Sequence, residues 1–372
     1  MITTNYVINF SLFNNMKDVK IQKIINKTFD KVKNNNGGNV ASYIPELAKA
    51  DPKLFGIAFV SCDGEVYEAG NANKSVPIES ISKLFTLACA VDKLGGKEVS
   101  KKIGHSGSWL PFNSVLAADL SPTHTINPFV NQGAMATTSL LYSKDKAKFK
   151  QHVLGNLDEF AGKKLAFNNA VYKSEMKTNS KNMALAYLLH SHDRFYGDVQ
   201  DSVDVYTQQC SKNVSAKDLA TMACVFAKGG IHPFNGKKVI SNDTANYVMR
   251  AMHRSGLYEY SGTWAAEVGC VSAKSGVAGG IIIMLKGIGG LAIVSPPLDK
   301  NGNSVRGISA GKIITKDIYK LKDAREKFCP STKHLKTSST RKASTTRKAS
   351  TRKNSSTRKP SKKAKKQTRK QK

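Results

Sequence analysis

Two strand-like hairpins sit near opposite ends of this chain, and a long stretch of helical pattern separates them. The first runs Gly56-Ile57-Ala58-Phe59-Val60-Ser61-Cys62, then Asp63-Gly64, then Glu65-Val66-Tyr67. An Asp-Gly pair between β-prone runs is a strong short-range hairpin signal. The second pairs Gly280–Leu285 with Leu291–Val294 across a Gly-rich turn. Between them, Ile81 to Leu94 carries apolar residues at 81, 84, 85, 88, 91 and 94, the repeat of one helix face, and stops at Gly95-Gly96. Ala216–Ala227 and Thr244–Met252 are the clearest later helices, and Ser304–Leu321 reads as a closing one. Strands at both ends with helices between predict an α/β (α+β) domain. One antiparallel sheet is formed from both chain ends, helices flank it, and a helical domain is inserted. A cleft between sheet and insertion is the natural place for a site.

The ends read differently from the body. Val19, Ile21, Ile24, Ile25 and Phe29 at near-helical spacing predict a peripheral helix before the breaker cluster Asn34-Asn35-Asn36-Gly37-Gly38. Tyr43 to Ala50 predicts a further short helix. The expected division is an N-terminal extension over 1–36, a main domain over 37–325 and a tail over 326–372. Of the formal net charge of +31, the segment from Ser331 onward supplies 17 Lys and Arg and no Asp or Glu. It repeats units such as Ser339-Thr340-Arg341-Lys342 and Ser356-Thr357-Arg358-Lys359 and has almost nothing to bury, which predicts disorder in isolation. Such a tail suits nucleic acid or another polyanion through counterion release. It lacks the aromatic residues that stack on single-stranded bases.

Cysteine usage and the N-terminus bound the compartment. The six cysteines are scattered, without a CxxC pair or a nearby His at metal-ligand spacing, and read as free thiols in a reducing compartment. The first residues make a poor signal peptide and no run of about 18 apolar residues occurs, so the expectation is an intracellular, cytoplasmic protein without a transmembrane segment. The basic tail directs it to sites rich in nucleic acid.

The chemistry centres on Ser80-Ile81-Ser82-Lys83. At positions i and i+3 of a helix, serine and lysine share a face. A serine at the helix start feels the positive end of the dipole, and a neighbouring lysine amine can take its proton. The pattern is weak alone: it recurs at Ser143–Lys146, Ser174–Lys177 and Ser356–Lys359. Far downstream, Lys274-Ser275-Gly276 precedes an apolar strand, and acyl-serine enzymes pair S-x-x-K with such a K-[TS]-G.

Eight blocks in order extend the case. Tyr43-Ile44-Pro45-Glu46-Leu47-Ala48 resembles the "YIPxLA" of glutaminases, and Glu79-Ser80-Ile81-Ser82-Lys83 resembles their "QSISK". Asn127 to Ala134 is similar to "NPxxNAGA"; Ser174-Glu175 with Lys181-Asn182 is similar to "SE…RN"; Tyr206 to Ser211 is similar to "YxxQCS". Gly256-Leu257-Tyr258 with Ser261-Gly262 resembles "GMYDxSG", Lys274 to Gly280 resembles "KSGVGGG", and Ser295-Pro296-Pro297-Leu298 with Gly302-Asn303-Ser304 resembles "SPxLDxxGNS".

The resemblance to serine-dependent glutaminases implies a β-lactamase/transpeptidase-like fold and hydrolysis of L-glutamine through an acyl-enzyme, with no cofactor or metal. It implies Ser80 as nucleophile, Lys83 as its base, and Tyr206, Tyr258 and Lys274 beside them. Tyr43, Asn131, Glu175 and Asn182 would hold the amino-acid end of the substrate. Glu79 would lie next to it, and the backbone N–H groups of Ser80 and Val277 would form an oxyanion hole. It also implies a homo-oligomer, a dimer or tetramer. The chain departs from the family pattern at several points. Glu79 stands for Gln, Gln132 for Ala and Lys181 for Arg; Trp109 stands where Gly is usual, and the segment 268–273 is one residue longer. These departures leave two alternatives open: a degenerate fold serving as a nucleic-acid-associated binding module, and an acyl-serine hydrolase of another amide.

Overall fold

The computed structural model describes residues 19–322. The basic tail therefore lies outside the described residues, as do the first eighteen.

The sheet is built from both chain ends, as the hairpins predict. Strands β1 (Gly56–Ser61) and β2 (Val66–Gly70) form the first hairpin. Strands β5 (Ser272–Ser275), β6 (Gly280–Leu285) and β7 (Gly289–Val294) come from the other end. The order is β2-β1-β7-β6-β5, every neighbouring pair antiparallel, with β1 joined to β7 through Ile57↔Ile293 and Phe59↔Leu291. Two further strands, β3 (Val76–Pro77) and β4 (Asn213–Val214), pair only with each other. At two residues each they carry no periodicity, which is why the sequence did not reveal them.

Both sheet faces are apolar, so the central strands read as unbroken hydrophobic runs. Ala58, Val60, Ile282, Met284, Ala292 and Val294 join one core cluster, which includes the inserted helices. Ile57, Phe59, Ile281, Ile283, Leu291 and Ile293 join the other. The insertion comprises α2 (Lys83–Leu94), α3 (Gly96–Lys102), α4 (Val115–Leu120), α5 (Asn131–Ser139), α6 (Lys146–Lys150), α7 (Asn156–Ala161), α8 (Asn169–Lys177), α9 (Ser180–Ser191), α10 (Val199–Cys210), α11 (Ala216–Ala227) and α12 (Asn242–Ser255). The opposite face is covered by α1 (residues 19–32), α13 (Ser261–Val268) and α14 (Val305–Lys322).

Helix α1 corrects one expectation. It is not peripheral: Ile21, Ile25 and Val32 are buried in the cluster that holds Ile57 and Ile293, and Phe29 stacks on Phe55 with ring centroids 4.9 Å apart. Buried Arg306 of α14 ties this corner together. Its Nε donates to Ser295 Oγ at 2.7 Å, and its guanidinium donates to the carbonyls of Lys33 and Leu54 at 3.4 Å and also to that of Pro52.

Three smaller corrections follow. Tyr43–Ala50 is not a helix; only Leu47–Lys49 makes a 3-10 turn. Pro45 lacks the N–H a helix needs and disfavours helical backbone at Ile44. Helix α2 begins at Lys83 rather than Ile81, because Glu79–Ser82 winds as a 3-10 turn ahead of it. Among the described cysteines, Cys62, Cys89, Cys210 and Cys224 are thiols outside any disulfide, but Cys270 is disulfide-bonded, so the free-thiol expectation fails there.

Candidate active site

The 3-10 turn that carries Ser80 is held from both sides. Strand β3 leads into it, and Ile78 N donates to Lys212 O at 2.8 Å, which anchors the turn beside the end of α10. Glu79, immediately before the serine, adopts φ 50°. Left-handed backbone at a non-glycine residue is uncommon and collects at functional sites. Tyr258 shares it, with φ 55°. Its turn is clamped by Ser261, whose Oγ donates to Tyr258 O at 2.8 Å and accepts from Leu257 N at 3.0 Å.

Helix α5 is aimed at the same point. The Asn127 side chain accepts from Phe129 N at 2.9 Å and Val130 N at 3.2 Å, bending the chain into the helix whose first residue is Asn131. Gly133 makes this approach possible, since a Cβ there would lie 1.9 Å from Asn127 O. From the sheet side, the turn between β5 and β6 closes through Gly279 N donating to Gly276 O at 2.9 Å and carries Val277 at its tip. Gly279 takes φ 92° there.

These elements enclose a cavity of about 260 Å³. Of the residues predicted for the site, Tyr43, Glu79, Ser80, Asn131, Glu175, Asn182, Tyr206 and Val277 line it. Lys83, Tyr258 and Lys274 do not; they form a buried layer behind Ser80. The sequence reading missed Phe112, Asn113, Thr178, Asn179 and Cys210 as lining residues. Phe112 packs on the Tyr258 ring at 5.1 Å, and nothing in its sequence context signals that. Trp109 is 82% exposed and takes no part in the lining. A second cavity of about 290 Å³ lies on the other side of Val277 and Ala278, among Leu47, Leu54, Val76 and Val171. Its Lys74 and Ser75 are both exposed, whereas Ser80 and Lys83 are buried, so the chemistry belongs to the smaller one.

One hydrogen-bond chain links the lysine to the lining. Lys83 Nζ donates to Asn131 Oδ1 at 2.8 Å and to Phe129 O at 3.0 Å. Tyr206 OH also donates to Asn131 Oδ1, at 3.4 Å, and Asn131 Nδ2 donates to Asn182 Oδ1 at 3.0 Å. Lys274 Nζ donates to Ser275 O at 2.6 Å and lies 4.3 Å above the Tyr258 ring. The Tyr258 hydroxyl, buried and facing Ser80 and Ser275, makes no protein hydrogen bond of good geometry.

Burial decides the charge states. Desolvation pulls the Lys83 ammonium down to about 8, against the opposing pull of Cys210, Glu79 and Glu175. Desolvation, with the nearby charge of Lys83, takes Lys274 well below the usual lysine range. Burial raises Tyr206 and Tyr258, which stay phenols. Burial and the adjoining Glu175 push Glu79 well above the usual carboxylate range. Burial raises Glu175 to about 7 although a hydrogen bond from Glu79 and the charge of Lys83 oppose it. The arrangement presents a serine hydroxyl, a lysine able to lose its proton near neutral pH, and two phenols that can pass protons.

The profile of the family described as Glutaminase matches residues 38–321. The chain belongs to the glutaminase family. The glutaminase of Colwellia psychrerythraea is 45% identical over 300 residues, covering 80% of this chain and 96% of that protein. Glutaminase 1 of Escherichia coli K12 is 42% identical over 288 residues, covering 77% and 93%. The solved structure of the probable glutaminase ybaS superposes with a TM-score of 0.78 at 40% identity, covering 80% of this chain and 96% of that one. A Bacillus subtilis glutaminase, YbgJ, in covalent complex with 5-oxo-L-norleucine formed by reaction with 6-diazo-5-oxo-L-norleucine, superposes at 0.69 with 27% identity, covering 83% and 97%. The glutaminase fold thus accounts for the sheet built from both chain ends.

Proposed function

We propose that Ser80 is the nucleophile of this glutaminase and Lys83 its base. The chain is a glutamine amidohydrolase, releasing L-glutamate and ammonia. The observation that carries the assignment of roles is the buried Lys83 amine, held by Asn131 and Phe129 one helical turn from Ser80 and drawn down to about 8. A lysine in that range is partly neutral at neutral pH and can accept the serine proton.

The reaction then follows from the lining. Ser80 Oγ attacks the γ-amide carbon as its proton passes to Lys83. The oxyanion is held by the backbone N–H groups of Ser80 and Val277, donors of a kind whose loss costs about 10²–10³ in rate. The Tyr258 phenol, facing Ser80, relays to the departing ammonia the proton that Lys83 took from Ser80 and so ends as a phenol again, with Tyr206 and Lys274 supporting it. Water then cleaves the γ-glutamyl ester. The N-termini of α5 and α9, with Asn131 and Asn182 in their first turns and Lys181 alongside, suit the substrate α-carboxylate. Glu175 suits the α-ammonium. Tyr43, half-exposed at the rim, caps the substrate.

The degenerate-module alternative loses support, because Ser80, Lys83, Tyr206, Tyr258 and Lys274 are all present in one buried group. The family resemblance supports a homo-oligomer, and the 17 cations of the tail support binding of nucleic acid or another polyanion. Light scattering and salt-dependent retention of the full chain, against one ending at Pro330, test those two points.

The roles are tested by ammonia release from L-glutamine together with labelling by 6-diazo-5-oxo-L-norleucine. Wild type should release ammonia and carry the adduct on the Ser80 peptide, and Ser80→Ala should do neither. An active Ser80→Ala protein would overturn the assignment.

A further inference from the structure

Two acidic side chains meet on the floor of the cavity. Glu79 is 3% exposed, Glu175 reaches in from α8, and the two carboxyl groups line the same small cavity close enough to couple. Each has an oxygen, Oε1, that is buried without a protein partner. Two carboxylates have no donor between them, so the pair can hydrogen-bond only while one carries a proton. Like charges so close in a dry site cannot both ionise.

We propose that Glu79 and Glu175 share one proton in the free protein and that the substrate's α-ammonium displaces it, so that glutamine uptake releases a proton to solvent. This rests on the glutamine-hydrolase reading and extends it to Glu79. The ammonium brings a positive charge and three N–H donors to the two unpartnered oxygens, and both carboxylates can then ionise around it. The substrate enters as its zwitterion and stays so; the carboxylic acid proton goes to the buffer.

The remaining titratable groups facing the pair do not offset its burial: the charge of Lys83 lowers both carboxyls, but desolvation outweighs it. Lys83, from α2, is already hydrogen-bonded to Asn131 and Phe129. Tyr206 and Cys210 of α10, Tyr258 after α12 and Tyr43 before β1 are neutral acids in this field. Lys181 of α9 lines the same cavity, with its amine 3.4 Å from Asn113 Oδ1. The sign follows from linkage. The complex holds fewer protons than the free protein, so affinity rises with pH across the window in which the pair still keeps its proton, by up to about tenfold per pH unit. A glutamine at position 79 has an amide N–H to offer Glu175 and no proton to give up.

The test is titration calorimetry of the full-length Ser80→Ala protein with L-glutamine at pH 7 in buffers of different ionisation enthalpy. The expected result is release of about one proton per glutamine bound. Release should be close to zero for Ser80→Ala/Glu79→Gln, and close to zero for Ser80→Ala with glutaramic acid, which lacks the α-amino group. The second ligand keeps the test decisive if the double variant does not fold. Equal proton counts for the two variants, equal counts for the two ligands, or binding without release would overturn the proposal. Wild-type ammonia release, run beside it, separates the cases. Hydrolysis without proton linkage removes only the shared proton, whereas no hydrolysis and no binding heat removes the glutaminase roles as well.

Discussion

Lys83 Nζ and Asn131 Oδ1 meet at 2.8 Å, and this contact couples the proposed base to the residue that also reaches Asn182 on the cavity wall. Asn131 was expected only to hold substrate. In the structure its acceptor is taken by Lys83 and Tyr206, and its donor by Asn182. Replacing it with Asp puts a carboxylate against the ammonium and should raise the Lys83 pKa by about 1–3 units. A pH profile of kcat/KM should show its rising limb moved upward by that amount, with activity at pH 7 reduced accordingly. An unmoved limb would mean the lysine is not the base.

For wild type, the sign runs the same way. As the proposed base Lys83 would act when neutral, and burial draws it down to about 8. Below that pH, kcat/KM should climb about tenfold per unit, then level off above it. A profile flat from pH 6 to 9 would contradict a lysine base.

Tyr258→Phe separates chemistry from stability. The hydroxyl it removes faces Ser80 and Ser275 without a well-formed hydrogen bond, while the ring keeps its contacts with Lys274 and Phe112. Thermal stability should hold or rise slightly, and kcat should fall by about 10²–10⁴. Loss of stability with kcat intact would make Tyr258 a packing residue.

Gln132 gives a stability prediction. It is fully buried in α5, and neither side-chain polar atom has a hydrogen-bond partner in the protein. An unsatisfied buried amide costs about 1–3 kcal/mol. Gln132→Met keeps the length without the polar atoms, so denaturant titration should give a more stable protein by that order, with kcat unchanged.

Arg306→Met tests the opposite corner. It strands the carbonyls of Lys33, Pro52 and Leu54 and the Ser295 hydroxyl, and should cost about 3 kcal/mol. Activity of the folded fraction should stay unchanged, since none of those groups lines the cavity.

The split between what could be read and what could not follows the range of the interactions. The Asp63-Gly64 turn, the apolar runs of β6 and β7 and the 81-84-85-88-91 face of α2 are local signals, and they marked β1, β2, β6, β7 and α2 and the joining of the chain ends, but not β5. The ordered motif blocks named the family and every residue of the buried group around Ser80. The short β3–β4 pair, the 3-10 turn before Lys83, the packing of α1 into the core and the ring of Phe112 on Tyr258 depend on partners distant in sequence, and periodicity carries none of that.

The charge states belong to the same second class. The sequence by itself determined which residue types are available: one serine three residues before a lysine, a second lysine far downstream, and a glutamate in place of an amide at position 79. Only the tertiary structure decided that both lysines are buried and that Glu79 meets Glu175 across one small cavity. The physical reason is that desolvation and charge–charge coupling are set by three-dimensional proximity and exclusion of water, and neither is a property of neighbouring positions in a chain.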